Sequence, residues 1–274
     1  MKQFKQVISI MLVCAITLIA SANLSVSASA TVLETAPEFQ FTASPYALAS
    51  VRGTQVSGEL QQVLAMNDIK VAENTLIEAL PSNAADGATV LQITNISGSA
   101  ISKDMLVPIA ADGNVSSIIA LVDAQNAATR STNIEAWDPF ADGSMCIHIS
   151  VSYNTPISGN NYKVQPVNAR FKCMDPDALH TVTKGKVEYL CKGFEYTYPG
   201  GVCITTGSTP YTHKITISKS NPVDARWYTS TSSNAYSTDR VINLDNGLYD
   251  HRYTWSFTID GRVLTGEIEI FPNG

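Results

Sequence analysis

The stretch Tyr249-Asp-His-Arg-Tyr-Thr-Trp-Ser-Phe-Thr-Ile-Asp-Gly261 places a large side chain at every second position up to Ile259. This alternation predicts a β-strand with one apolar face and one solvated face. Asp260-Gly261 then predicts a two-residue hairpin turn, because aspartate and glycine tolerate the positive φ angles that such turns require. A second strand of the hairpin is therefore predicted over 262–271.

A two-residue turn fixes the register of this hairpin. Ile259 then opposes Arg262, and Trp255 opposes Gly266, which leaves room for the indole ring. The remaining predicted pairs are Phe257–Leu264, Tyr253–Ile268, His251–Ile270 and, on the solvated face, the opposite charges Arg252–Glu269. Each large residue of the first strand meets an apolar partner or a glycine. We therefore assign that row, including His251, to a protein core.

Further strands are predicted between turn-forming residues upstream of the hairpin. The candidates are 145–153, 162–173, 186–198, 211–219, 224–231 and 239–243. Several short strands at this spacing are typical of an all-β sandwich.

The segment Asp245-Asn-Gly-Leu-Tyr249 leads into the penultimate strand. It resembles the tyrosine corner of immunoglobulin-like domains, in which a tyrosine hydroxyl bonds to the backbone a few residues upstream. The resemblance covers about 30 residues and implies an immunoglobulin-like antiparallel β-sandwich over 144–274. His251 occupies the position of an antibody cysteine, so the disulfide of antibody domains is not implied. The resemblance concerns the fold and implies no function.

The composition changes near residue 143. Residues 31–143 contain 19 alanines and five aromatic residues, whereas residues 144–274 contain four alanines and 16 aromatic residues. Alanine favours helices and aromatic residues favour strands. We therefore predict a small α+β N-terminal region over 57–143, preceded by an extended lead-in over 31–56. This region is either a separate domain or packs on the C-terminal part.

Within the α+β region, the apolar residues between 58 and 80 recur at helical spacings, and Pro81 ends the pattern. One or two short helices are predicted there. A strand is predicted over 89–94, and a hairpin around Asp112-Gly113 would join 105–109 to 115–122.

The first 30 residues have the pattern of a bacterial signal peptide. Lys2 and Lys5 precede an apolar run from Val7 to Ala20, and Ala28-Ser29-Ala30 fits a cleavage site. Removing 1–30 changes the net charge from −6 to −8, because two lysines and no acidic residue are lost. This charge argues against binding to nucleic acid or to an anionic membrane. We expect a secreted or cell-envelope protein without a later membrane span.

Four cysteines follow the predicted signal peptide: Cys146, Cys173, Cys191 and Cys203. An even number in an exported chain predicts two disulfide bonds. Three connectivities are possible, and Cys146–Cys173 with Cys191–Cys203 closes the more local loops.

The tyrosines offer candidate contact residues, since ten of the eleven lie in 144–274. Aromatic residues on both faces of a sheet exceed what one core needs, so some are predicted to form a surface patch. The candidates are Tyr189, Tyr196, Tyr198, Tyr228 and Tyr236.

Motifs for catalysis or metal binding are not recognisable. The histidines His148, His180, His213 and His251 form no pair at metal-ligand spacing, and no G-x-S-x-G motif occurs. The sequence therefore identifies no catalytic, cofactor-binding or metal-ligating residue. It favours an exported, non-catalytic binding protein with a protein or glycan partner. The alternatives are an extracellular hydrolase acting on glycan or peptide, with its site between the two halves, and a structural subunit of a surface assembly.

Overall fold

The computed structural model describes residues 43–44, 46–56, 58–81, 89–110, 144–157, 160, 162–198, 202–231, 236–245 and 249–270. All of them lie in one compact unit, Gln40–Gly274. The described residues form a mainly antiparallel β structure with one α-helix, α1, at Gly58–Met66. The strands are β1 Ala49–Arg52, β2 Thr75–Pro81, β3 Thr89–Ser97, β4 Ala100–Ala110, β5 Ser144–Asn154, β6 Lys163–Met174, β7 Val182–Thr197, β8 Ile204–Thr205, β9 Tyr211–Ser220, β10 Tyr228–Thr229, β11 Arg240–Asn243, β12 Asp250–Ile259 and β13 Arg262–Glu269.

The strands are hydrogen-bonded in the order β1-β2-β3-β4-β5-β6-β11-β7-β12-β13, while β10 pairs with β6 and β8 and β9 pair with β7. β4 and β5 come from the two sides of the change in composition, and they pair from Ala100–Asn154 to Ala110–Ser144. The sheet is therefore continuous across that change. The predicted boundary at 138–143 lies outside the described residues.

β7 is the longest strand and has partners along both edges. β12 pairs with 182–192 and β11 with 194–197, while β9 pairs with 184–193 and β8 with 196–197. β11 also pairs with β6. β7 therefore connects the N-terminal strands to the C-terminal hairpin.

The C-terminal hairpin has the predicted register. Ile259 pairs with Arg262 and Trp255 with Gly266. The turn residues Asp260 and Gly261 have φ angles of 51° and 77°, as a two-residue turn requires. The amide of Ile270 donates to the carbonyl of His251. These observations confirm the core assignment of the aromatic row, in which His251 is fully buried.

The predicted contact between Arg252 and Glu269 is replaced by contacts of Arg252 with other carboxylates. Arg252 and Glu269 are opposite each other, but the guanidinium contacts Glu267 at 3.0 Å and Asp250 at 3.2 Å. The long arginine side chain thus reaches a diagonal neighbour and a residue of its own strand.

Distant parts of the sheet pack face to face. Phe171 of β6 lies against Phe257 of β12, with ring centroids 5.2 Å apart. Between them Gly185 of β7 approaches so closely that a Cβ atom there would lie 2.9 Å from the Phe257 ring. The sheet therefore has an interior face, and α1 covers part of the opposite face through Leu60 and Leu64.

One prediction for the N-terminal region is wrong. The segment 75–80 is part of β2, not a helix, and each of these residues is buried. Because both faces are covered, the segment shows no alternation that would distinguish a strand from a helix. Within the predicted extended lead-in over 31–56, residues 49–52 form the strand β1, which pairs with β2. Residues 31–42 lie outside the described residues.

Other predictions are met in part. The predicted hairpin around Asp112-Gly113 lies outside the described residues. The hairpin that the structure describes in this region joins β3 to β4 through Gly98-Ser99. Of the predicted strand 224–231 only Tyr228–Thr229 is a strand, because Asp224 and Ala225 form a turn in which Ala225 has a φ of 54°. The tyrosine corner falls largely on 246–248, which the structure does not describe.

Candidate functional site

A polar cluster lies on the outer face of the sheet, the face that carries α1. Strand register places Leu106, His148 and Lys172 side by side on β4, β5 and β6. Trp227 precedes β10 and continues this row, because the next residue, Tyr228, pairs with Phe171. The adjacent row contains Asp104, Ser150 and Arg170.

A buried histidine–carboxylate pair forms one end of this cluster. His148 Nε2 lies 3.0 Å from Asp104 Oδ1, and the histidine is 1% exposed. Burial lowers the pKa of His148, and Lys172 and Arg170 act in the same direction, against the raising effect of Asp104. The neutral imidazole therefore donates its Nε2 hydrogen to the carboxylate. Its Nδ1 atom is buried and has no partner within the described residues.

Two cations lie over the indole of Trp227. Arg170 Cζ is 4.2 Å and Lys172 Nζ 4.9 Å from the ring centroid. The His148 ring packs against the same indole, with centroids 4.7 Å apart and an angle of 65° between the ring planes. Such stacking orders a guanidinium group and leaves its N–H groups available in the plane.

The two cations differ in their charge partners. Lys172 Nζ lies 2.8 Å from Asp68 Oδ2, and this contact lowers the pKa of Asp68. Arg170 takes part in none of the ion pairs of the described residues. Arg170 is thus a half-buried cation that is ordered by an aromatic ring and forms no ion pair with the carboxylates that the structure describes.

An open pocket of about 700 Å³ lies beside the cluster, and Arg170 is one of its walls. The other walls are the turn after α1 and the turn between β3 and β4. Its polar lining residues include Asp68, Lys70, Glu73, Asn74, Asn95, Ser97, Asp104 and Arg170. The pocket therefore presents hydrogen-bond donors and acceptors together, with apolar contact from Ile69 and Ile96.

Two of the predicted contact tyrosines are wrong. Tyr189 is 1% exposed, because it points into the interior, where its hydroxyl hydrogen-bonds to His251 Nε2 at 2.9 Å. Tyr236 is also buried, and its hydroxyl donates to Glu195 at 2.9 Å. Both are interior tyrosines whose polar ends have partners, so the excess of aromatic residues partly reflects the core.

The other three candidates, Tyr196, Tyr198 and Tyr228, are half-buried. Tyr228 packs against Phe171 with ring centroids 5.4 Å apart, and its hydroxyl accepts a hydrogen bond from the amide of Val223. A contact role for these three remains a prediction.

The predicted disulfides are not formed, since Cys146, Cys173, Cys191 and Cys203 are free. Cys146 pairs with Met174 and Cys173 with Ile147, so the two cysteines point to opposite faces of the sheet. Cys203 precedes Ile204, which pairs with Thr197. Thr197 is six residues from Cys191 along β7, a separation of roughly 20 Å. A disulfide requires Cα atoms within about 7 Å.

Of the four cysteines that the structure describes, we expect only Cys203 to react with a thiol reagent in the folded protein. Cys146, Cys173 and Cys191 are buried, and burial raises the pKa of Cys146 and of Cys173 to about 12 and also that of Cys191. Thiolates are the reactive form, so these three should react only after unfolding. Counting thiols with a chromogenic disulfide reagent, with and without denaturant, checks this. If the thiols of the unfolded protein could be detected only after treatment with a reductant, the cysteines would be oxidised and the prediction would be contradicted.

Sequence reasoning missed Asp68, Asp104, Arg170, Lys172 and Trp227. The sequence of β6 contained one signal. Arg170 and Lys172 alternate with Phe171 and Cys173, so the two cationic side chains lie on one face of the strand and Phe171 and Cys173 on the other. Their meeting with Asp104 and Trp227 depends on the pairing of distant strands, which no local pattern specifies.

No group of three or more side chains suited to a metal occurs within the described residues. In that same part of the chain, none of the helices has the length and apolarity to cross a bilayer. Comparison of the chain with known protein families and with curated proteins gave no match. The function must therefore be argued from the site itself.

Proposed function

We propose that the chain is an exported, non-catalytic binding protein of the cell envelope or the extracellular space. In this proposal residues 1–30 direct export, and the pocket at Arg170 binds a glycan that carries a carboxylate group. The observation that carries the proposal is the guanidinium of Arg170, which is stacked on Trp227 at 4.2 Å, lines the pocket and has no ion-pair partner in the part of the chain that the structure describes.

A stacked arginine is suited to a carboxylate ligand. The indole covers one face of the guanidinium, so the N–H groups at its edge remain able to make two parallel hydrogen bonds. Asp104 and Asp68 make their direct contacts with His148 and Lys172, and neither forms an ion pair with Arg170, although the charge of Arg170 helps to lower the pKa of Asp68. A ligand carboxylate would give the guanidinium a direct ion-pair partner.

The remainder of the pocket favours a glycan as the carrier of that carboxylate. Sugar hydroxyl groups both donate and accept hydrogen bonds. The side-chain amides of Asn74 and Asn95 can do both, and the carboxylates of Glu73 and Asp104 can accept. The net charge of −8 after loss of residues 1–30 makes a long polyanion a poor ligand, so a short acidic glycan segment fits better.

The buried state of His148 supports a non-catalytic role over the alternative of a hydrolase. A general base must lie within hydrogen-bond distance of the group that it deprotonates. His148 is 1% exposed, and its Nε2 is occupied by Asp104. We interpret this pair as a support for Trp227 and thereby for Arg170.

We also propose that residues 144–274 form an immunoglobulin-like sandwich on which the preceding strands are docked. The packing of β6 on β12 through Phe171 and Phe257 supports two facing layers. The two-residue hairpin and the aromatic row of β12 are further support. This proposal concerns the fold and is independent of the ligand.

Binding of a uronic acid oligosaccharide tests the function. We expect oligogalacturonate to shift the indole N–H signal of Trp227 in NMR spectra, and its methyl ester to have no effect. Arg170→Gln should weaken binding at least tenfold, because a hydrogen bond to a charged group contributes about 1.5–3 kcal/mol. Arg262→Gln, at the exposed hairpin turn, is the matched control and should bind normally. Equal binding of acid and ester, equal binding by Arg170→Gln, or no binding at all would contradict the proposal.

A further inference from the structure

A groove of about 270 Å³ runs along the outer edge of the C-terminal hairpin, and it shares no lining residue with the pocket at Arg170. Residues 267–269 of β13 form one wall of this edge groove. The opposite wall consists of Ser44, Tyr46, Leu80 and Pro81. Successive side chains of a strand point to opposite faces of the sheet. Because three consecutive residues of β13 line the edge groove, it meets the strand at its backbone edge.

The wall opposite β13 is held in place by two hydrogen bonds. The buried carboxylate of Glu78 accepts from the amide of Ser44 at 2.6 Å. The amide of Leu48 donates to the carbonyl of Ala79 at 2.8 Å, which fixes the chain just before β1. Tyr46 lies between these two contacts and is 62% exposed. The edge groove therefore has a fixed wall that offers an aromatic surface.

The edge of β13 carries backbone groups that no described strand uses. The amide of Ile270 donates to the carbonyl of His251, so even-numbered residues of this hairpin strand bond to β12 and odd-numbered residues point away. Among the described strands β13 pairs only with β12, and this pairing has no bulge. Native edge strands are usually short or protected by proline, lysine or bulges. This strand has eight residues and neither proline nor lysine. The residues with outward N–H and C=O groups are Val263, Thr265, Glu267 and Glu269.

The edge groove is acidic. Glu267 and Glu269 are exposed, and no described residue of its lining is a lysine or an arginine. Glu267 Oε1 lies 3.0 Å from Arg252 Nη1, whereas Glu269 takes part in none of the ion pairs of the described residues. The net charge of −8 after loss of residues 1–30 acts in the same direction. A cationic group would therefore be attracted to Glu269.

We propose that the β13 edge binds an extended polypeptide segment of a different protein, with a lysine or arginine opposite Glu269. The row of outward N–H and C=O groups selects a polypeptide, because the backbone of another strand can satisfy the whole row by antiparallel pairing. Alternate side chains of the added strand would face inwards and contact Tyr46, which favours apolar residues at those positions. This site is independent of the function proposed for the pocket at Arg170.

Fluorescence anisotropy of a labelled peptide tests the site on the whole protein. The probe is Lys-Val-Thr-Val-Thr-Val-Thr with both ends capped, whose lysine lies opposite Glu269 when its last threonine pairs with Val263. We expect saturable binding. N-methylation of the first two threonines should abolish it, since their N–H groups face β13 in this register. N-methylation of the second and third valines, whose N–H groups point away from β13, is the matched control and should preserve binding.

Reversal of one charge tests the electrostatic part of the proposal. Glu269→Lys should bind the probe about fivefold more weakly, because an exposed ion pair is replaced by a repulsion. The same variant should bind the peptide with glutamate in place of lysine more tightly than the wild type does. Asp177→Lys reverses an exposed charge in the β6–β7 connection and should bind the probe normally.

Three results would overturn the proposal. The first is no binding of the probe to the wild type, or equal binding of the two N-methylated peptides. The second is equal affinity of the wild type and Glu269→Lys for the probe. The third is self-association of the wild type in sedimentation experiments that the probe reverses, since the edge would then belong to a second copy of the chain.

Discussion

Lowering the pH from about 6.5 to about 4 should reduce the free energy of unfolding by about 3 kcal/mol through His251 alone. His251 is fully buried, and burial, reinforced by Lys103, lowers its pKa to about 3. The imidazole of the unfolded chain titrates near its model value of 6.5. The unfolded state therefore binds a proton in this pH range that the native state does not bind. The stability is fully present above the unfolded pKa and is lost as the pH falls towards the folded pKa.

Urea unfolding at a series of pH values measures this effect. His251→Gln removes the titrating group and should flatten the pH dependence relative to the wild type. Tyr189→Phe removes the hydroxyl partner of His251 Nε2 but keeps the imidazole, so it should lower stability and retain the pH dependence. His148 titrates with the same sign in all three proteins and cancels in the comparison. An identical pH slope in wild type and His251→Gln would show that His251 is not the cause.

Gly266→Ala should have the second large effect, a destabilisation of about 1–3 kcal/mol from overpacking. A Cβ atom at this position would lie 1.9 Å from Trp255 Cζ2, and Trp255 is 3% exposed, so the indole has no free space to enter. The midpoint of urea unfolding measures the change.

Gly207→Ala is the matched control for this substitution, because nothing lies within 4 Å of its Cβ position. Its unfolding midpoint should be close to that of the wild type. Trp255→Leu in the Gly266→Ala background should recover part of the loss relative to the two single variants. Equal midpoints for Gly266→Ala and Gly207→Ala would contradict the close packing of the indole on Gly266.

The hairpin of β12 and β13 was predictable from the sequence because local chemistry determines it completely. Asp260-Gly261 restricts the turn type, and the turn length then determines the register of each pair. The alternation from Tyr249 to Ile259 adds an independent indication of which face is buried. When the turn type and the alternation indicate the same register and the same buried face, tertiary contacts are not needed to specify them.

β2 and the cysteines were predicted wrongly because other parts of the chain determine them. β2 is covered by α1 on one face and by the interior on the other, so its side chains are apolar in a continuous run. Such runs occur in buried helices as well. Cys146 and Cys173 lie on adjacent strands, but Cys146 pairs with Met174 and not with Cys173. The register of β5 and β6 also shifts at a bulge near Ser152, and no sequence pattern predicts this register.

The candidate site was not predictable for a related reason. Trp227 and Arg170 are separated by 57 positions in the sequence, and they meet because β10 pairs with β6 over only two residues. A strand of that length gives no periodic signal. His148 was not predicted as a site residue, because its partner Asp104 is brought to it only by the pairing of β4 with β5.

The central place of β7 has a consequence for the order in which the chain can fold. Its edge partners β8, β9, β11 and β12 all follow it in the sequence, up to Ile259. Long-range pairing of this kind is slow, since the intervening chain must be closed into loops before any contact forms. A chain that is still being synthesised therefore lacks the partners that would bury Val187 and Tyr189. The strands β1 to β6 pair consecutively and can form their part of the sheet first, whereas β7 stays incomplete until β12 is available.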